Sequence, residues 1–220
     1  MNPKKNIFCL TLFAFSVYGT AQAVKQVPSV VEDTALVNSL LQQSKDQLAV
    51  DPAIAISLAF QAKSVSEKIN FPLGAATAAK NIGLGYRKQG KNLDALEYYN
   101  QSLKIFEEIN DNAGMANLYS NIGVVYYSQG DDAKALENYL QSLKFSEQSG
   151  DKFRILIALN NIGGIYFDKK ATYDKALQYY LKALPISEEL GKKEETGAIC
   201  KNIGSIYFKM DEDMKALFLF

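Results

Sequence analysis

Asn121-Ile122-Gly123-Val124-Val125-Tyr126 decides the fold of this chain, because the same phrase stands at three other places. It recurs as Asn81-Ile82-Gly83 with Tyr86, as Asn161-Ile162-Gly163 with Tyr166, and as Asn202-Ile203-Gly204 with Tyr207. The asparagines are spaced by 40, 40 and 41 residues. A period of this length marks a stack of supersecondary units, none of which can bury its apolar face alone.

Outward from the phrase, Met115, Leu118, Ile122, Val125 and Tyr126 advance by threes and fours, one face of a helix. Gln129-Gly130-Asp131 interrupts that stripe. It resumes with Ala135, Leu136, Tyr139, Leu140 and Leu143, and Ser149-Gly150-Asp151 closes the unit. Gly150 suits the left-handed end of one helix and Asp151 the cap of the next. Each unit is therefore a pair of amphipathic helices, and the chain divides into 71–110, 111–150, 151–191 and an incomplete 192–220. Residues 34–70 form a degenerate leading hairpin that caps the stack. Asp51-Pro52 opens its second helix, and Ala55, Ala59 and Ala62 keep the register.

Gly83, Gly123, Gly163 and Gly204 each sit inside a helix, where glycine costs about 1 kcal/mol against alanine. The repeated cost implies a close approach by the partner helix, through Ala95, Ala135, Ala176 and Ala216 and the aromatics Tyr99, Tyr139, Tyr180 and Phe220. The third unit departs from its siblings. Lys170 replaces the turn glycine of Gly90 and Gly130, one extra residue falls near Ala171-Thr172, and Pro185 is expected to kink or loosen the second helix. Asp211 replaces the turn glycine in the fourth unit.

The N-terminal segment lies outside the repeat register. Lys4 and Lys5, the apolar run Ile7 to Val17 and the small-x-small site Ala21-Gln22-Ala23 read as a secretory signal over 1–23. A linker, 24–33, follows. The mature chain is then expected in the periplasm or cell envelope. It has no second apolar run of membrane length, and once Cys9 is removed it retains only Cys200, read as a packed thiol. The ending Ala216-Leu217-Phe218-Leu219-Phe220 breaks off in mid-helix with an apolar edge. That suggests the N-terminal portion of a longer protein, and an edge that would favour a homodimer.

Chemistry is scarce. There is no histidine, which removes the commonest general base and neutral metal ligand. No catalytic, metal or cofactor site is read. Asp211, Glu212 and Asp213 make a polar turn. Gly85 to Asn92 only mimics a phosphate loop, lacking its Ser or Thr and its preceding strand. Lys plus Arg and Asp plus Glu each number 24, so no nucleic-acid footprint is present.

Ile82, Gly83, Tyr86, Ala95 and Tyr99, matched in all four units from about residue 71, resemble the tetratricopeptide repeat, in its 40-residue kinesin-light-chain-like form. The resemblance implies an all-α, right-handed superhelical solenoid whose first helices line a concave groove. That groove would present Lys80, Asn81, Leu84, Arg87 and Lys88, then Asn117, Ser120, Asn121, Val124 and Tyr127. Asn160, Asn161, Gly164 and Phe167 come from the third unit, and Lys201, Asn202, Ser205, Phe208 and Lys209 from the fourth. An asparagine amide both donates and accepts, so four in register could hold the main chain of an extended peptide. The lysines and Arg87 would favour an acidic one. The expected role is a non-catalytic scaffold for a protein or peptide partner. The alternative is a sensory ectodomain, because Glu32 to Asn38, Asp51-Pro52 and Ala59 ahead of the repeats resemble the exported half of repeat-containing sensor histidine kinases.

Overall fold

The computed structural model of the protein describes residues 30–210. The expected signal 1–23, most of the 24–33 linker, the Asp211-Glu212-Asp213 turn and the apolar C-terminal edge lie outside the described residues. Within them the helices follow one another as α1 (Val30–Gln47), α2 (Pro52–Lys68), α3 (Pro72–Lys88), α4 (Asn92–Glu108) and α5 (Asn112–Ser128). Then come α6 (Asp132–Ser149), α7 (Lys152–Phe167), α8 (Tyr173–Glu189) and α9 (Lys193–Lys209). The chain is an all-α, right-handed superhelical solenoid in which each helix packs on the next. The hairpin α1/α2 leads three full pairs, α3/α4, α5/α6 and α7/α8. Helix α1 starts at Val30, inside the segment assigned to the linker.

The turns show why the period is so regular. A residue in the left-handed region recurs at Asn70, Gly90, Asn110, Gly130, Gly150 and Gly191, with φ between 53° and 78°. There the chain reverses, and the amide after the turn bonds back to the helix, as from Lys91 N–H to the Tyr86 carbonyl and from Asp131 N–H to that of Tyr126, both 3.0 Å. Aspartates then restart the next helix. Asp111, Asp131 and Asp151 each accept from the backbone N–H three residues on, at 2.9, 3.1 and 3.0 Å. Between α7 and α8 no residue is left-handed. With Lys170 in the glycine's place, the chain uses the extra residue to make a 3-10 turn, Lys170–Thr172. The Thr172 hydroxyl closes it on the Tyr166 and Lys169 carbonyls, at 2.6 and 2.9 Å. Helix α8 continues through Pro185, which lies on its exposed face and lacks the N–H that would bond to the Leu181 carbonyl.

The packing seam follows the glycines. A Cβ on Gly83, Gly123 or Gly163 would come within 2.6–2.7 Å of the ring of Tyr99, Tyr139 or Tyr180. The tyrosine of each second helix thus lies flat on the bare backbone of the first. These three tyrosines are almost fully buried, each stabilising the stack by about 1.5–3 kcal/mol through apolar area alone. Ala95, Ala135 and Ala176, wholly buried, set the same close spacing. A second fastening, which the apolar periodicity does not signal, runs alongside. Ser44, Ser102 and Ser142 are buried, and their hydroxyls donate across the pair to the carbonyls of Ala55, Ala76 and Ala116 at 2.7–2.9 Å.

Candidate functional site

With the tyrosine-on-glycine seam facing inward, the first helices α1, α3, α5, α7 and α9 present their opposite stripe along one wall. The recurring asparagines mark its lower edge, and each is engaged within the protein. Asn81 is 5% exposed, and its amide nitrogen donates to the Leu41 carbonyl of α1 at 3.3 Å. Asn121 donates to the Asn117 carbonyl and side chain at 2.9 and 3.0 Å. Asn161 reaches Ser120 on α5 at 3.5 Å, and Asn202 donates to the Tyr180 hydroxyl. Asn81, Asn161 and Asn202 therefore tie neighbouring helices together, while Asn121 bonds back within α5. Asn81 in particular is sealed from solvent, and it belongs to the fold rather than to a ligand-facing ladder.

Two of the recesses on this wall gather most of the expected residues. The first, about 470 Å³, lies among α1, α3, α5 and α7, and gathers five of the expected residues: Lys80, Asn81, Leu84, Asn117 and Asn121. It also contains Lys45 and Arg154, which sequence reading missed. Arg154 falls in register with Gly74 and Gly114, which are packing positions, so no pattern singled it out. Lys45 belongs to the degenerate α1. Three cations from three helices meet here, and no carboxylate lines the recess. Burial, then the like charges of Arg154 and Lys45, push the Lys80 ammonium below the usual lysine range, with Asp111 offsetting them weakly. Asp151 steadies Arg154, capping its backbone and lying 3.0 Å from its Nε.

The second recess, about 260 Å³, sits between α5 and α9 and gathers Val124, Tyr127, Asn160, Asn161 and Asn202. Tyr139 and Tyr180 form its back and Gly164 its floor. Burial raises both phenols to about 12. Tyr127, 44% exposed, donates to Asp168 at 3.4 Å at the rim.

The remaining expected residues line neither recess. Arg87 faces the buried Tyr99 phenol, whose pKa burial raises to about 12 against the pull of that guanidinium. Lys88 is exposed at the end of α3, and Lys201 is exposed on α9. Phe208 projects into solvent at 68% exposure. Phe167 and Lys209 occupy each other, the ammonium 4.3 Å from the ring centre. Cys200 is free and half-buried, not sealed in the core as its register suggested. Gly85 to Asn92 form the end of α3 and a helix–helix turn, with no strand before them. Among the described residues no helix is long and apolar enough to cross a membrane, and no three His, Cys, Asp or Glu side chains come together.

The tetratricopeptide repeat family model matches residues 74–148, the first two full units. Solved structures share the fold over much more of the chain. The nearly identical TPR-like repeats of a Podosopora anserina kinesin light chain are 13% identical, with a TM-score of 0.64 over 83% of this chain and 90% of that one. A Rap protein complexed with Competence and Sporulation Factor is 14% identical, with a TM-score of 0.65 over 86% of this chain and 62% of that one. The signal transduction ATPase PH0952 of Pyrococcus horikoshii, which carries a tetratricopeptide repeat sensor, is 17% identical. Its TM-score is 0.70 over 87% of this chain, which spans only 30% of that protein. At these identities the likeness is one of fold. No curated protein matches the sequence.

Proposed function

We propose that this chain, a solenoid of tetratricopeptide repeats, is a non-catalytic scaffold that holds an extended, acidic protein segment along the wall formed by its first helices. The observation that carries this reading is the recess where Lys45, Lys80 and Arg154 converge with no carboxylate among its lining residues. Burial first, and then the like charges of Arg154 and Lys45, disfavour the Lys80 ammonium, while Arg154 already has Asp151 beside it. An aspartate, a glutamate or a terminal carboxylate entering the recess relieves that repulsion and gains charge-assisted hydrogen bonds in a partly desolvated setting. Asn117 and Asn121 flank the site with amides that can meet a peptide main chain. The Rap neighbour, solved with a bound factor, supports the use of this fold for capture.

The test uses fluorescein-labelled decapeptide pools, acidic, neutral and basic, read by anisotropy at low and high salt. The acidic pools should bind best and weaken with salt, and Lys80→Ala with Arg154→Ala should weaken them by about tenfold without lowering the melting temperature. Equal binding of basic pools, or an unmoved affinity in the double variant, would refute the assignment.

A second reading places the same groove in a larger signalling protein, as its sensory part. The support is the tetratricopeptide repeat sensor of the Pyrococcus horikoshii neighbour. In that reading the chain works outside the cytoplasm, with residues 1–23 as its export signal. The reading frame beyond Phe220 and the N-terminus of the purified native protein test both points. A mature N-terminus upstream of Ala23 removes the export element, and a stop codon directly after Phe220 removes the signalling one.

A further inference from the structure

The second recess differs from the first in ways that the repeat does not require. At one register position the first helices carry Leu84, Val124, Gly164 and Ser205. Glycine at 164 has no packing reason. A Cβ built there meets nothing nearer than the Tyr180 hydroxyl, at 4.0 Å, whereas its neighbour Gly163 lies against the Tyr180 ring. The missing side chain is what leaves the recess open. One position before the recurring asparagine, where α3 has Lys80 and α5 has Ser120, α7 carries Asn160. Asn160 lines this recess, and its side-chain carbonyl oxygen is buried with no hydrogen-bond partner. A buried acceptor left unpaired costs about 1–3 kcal/mol, so it marks a place for an incoming N–H.

The surroundings favour a planar, donor-bearing, positively charged group. Tyr127, the exposed ring of the recess, offers aromatic surface in front of the buried Tyr139 and Tyr180, and the Asp168 carboxylate holds the Tyr127 hydroxyl. No cation lines the recess; Lys201 is exposed elsewhere on α9, and Lys209 lies over Phe167. Guanidinium stacks on tyrosine faces and donates in its own plane, which fits both features.

We infer that the Gly164 recess is an arginine subsite, so that the groove reads a bipolar segment whose acidic residue lies toward α1 and whose arginine lies toward α9. The orientation rests on the acidic-segment reading above; the subsite itself does not. The two recesses share the same register positions of α3 and α7, and an extended chain passing along the wall meets them in order. The opposite polarities would fix the direction in which the segment lies.

The first experiment uses N-acetyl-arginine methylamide as the probe, titrated into the full chain while NMR follows the Gly164 backbone amide and the Asn160 side-chain amide. Both signals should shift and saturate, and N-acetyl-glutamate methylamide should leave them in place. In Gly164→Leu, whose Cβ has room and whose side chain would occupy the recess, the arginine shifts should vanish while the melting temperature holds. Absence of shifts in the native chain, or shifts that survive Gly164→Leu, would overturn the subsite. The second experiment compares labelled peptides carrying one aspartate with peptides that add an arginine roughly three to seven residues away on either side. Arginine on one side only should strengthen binding by about fivefold, and Gly164→Leu should remove that gain alone. A gain equal on both sides, or none, would overturn the direction. If aspartate peptides fail to bind the native chain, the acidic-segment reading falls and with it the direction, while the arginine titration still decides the subsite.

Discussion

Gly163 and Gly164 are adjacent on one helix and meet opposite surroundings. Gly163 is pressed against the Tyr180 ring, 2.7 Å from where a Cβ would stand, while Gly164 borders open space. The contrast runs through the whole molecule. Along the packing seam the residues repeat nearly unchanged, Gly83, Gly123 and Gly163 under Tyr99, Tyr139 and Tyr180. Along the wall they diverge, Lys80, Ser120, Asn160 and Lys201 at one position and Leu84, Val124, Gly164 and Ser205 at another. Seam positions obey the same geometric demand in every unit, because two helices must approach to the same distance each time. Wall positions face solvent, so packing leaves them free to suit a ligand.

Substituting the two glycines separately puts this contrast under the most severe strain. Gly163→Val should cost about 3 kcal/mol in urea unfolding, since the Tyr180 ring is held by its own packing and cannot retreat. Gly164→Ala should instead stabilise by about 0.5–1 kcal/mol, the helix-propensity gain of a site with room. Equal losses at the two positions would erase the distinction between seam and wall.

Alkaline pH probes the seam by another route. Burial holds Tyr139 and Tyr180 as neutral phenols up to about 12, while an unfolded chain ionises them near 10. Their contribution is complete below about pH 10 and is lost as the pH rises toward 12. Stability measured across that window should therefore fall, and Tyr139→Phe should make the fall shallower. An unchanged slope in the variant would show that the ring is not sealed where the structure places it.

The smallest effect belongs to the wall. Lys80 holds its charge among like charges, so Lys80→Met should stabilise the free protein by no more than about 0.5 kcal/mol at neutral pH. That increment should shrink as the pH rises through the lowered Lys80 pKa, where the native amine gives up its proton. A marked loss of stability would make Lys80 a structural residue and remove it from the ligand site.

Much of the architecture was legible in the sequence, for reasons visible in particular residues. Gly123 and Tyr139 recur at fixed offsets because a close helix contact demands them, and Asp151 reads as a cap because its side chain can meet only the amides just after it. The site was only half legible. Helical spacing put Asn117, Asn121, Asn160 and Asn161 on one face, and they line the two recesses. Yet Asn81 proved sealed against Leu41, because α1, which carries no Asn-Ile-Gly phrase, still packs there as a full helix. Lys45 and Arg154 could not be found from the repeat, since one lies in a degenerate helix and the other at a position its siblings use for packing. Phe167 and Lys209 read as two ligand contacts, whereas in three dimensions each satisfies the other.

By itself, then, the sequence determined the stack: a helical period, the turns that reset it and the small residues that bring paired helices together are all local or recur at a fixed interval. Only the tertiary structure decided what the wall offers. Lys45, Lys80 and Arg154 come from three helices far apart in the chain, and their convergence depends on how successive pairs rotate. That rotation is a sum of small packing angles that no single repeat encodes.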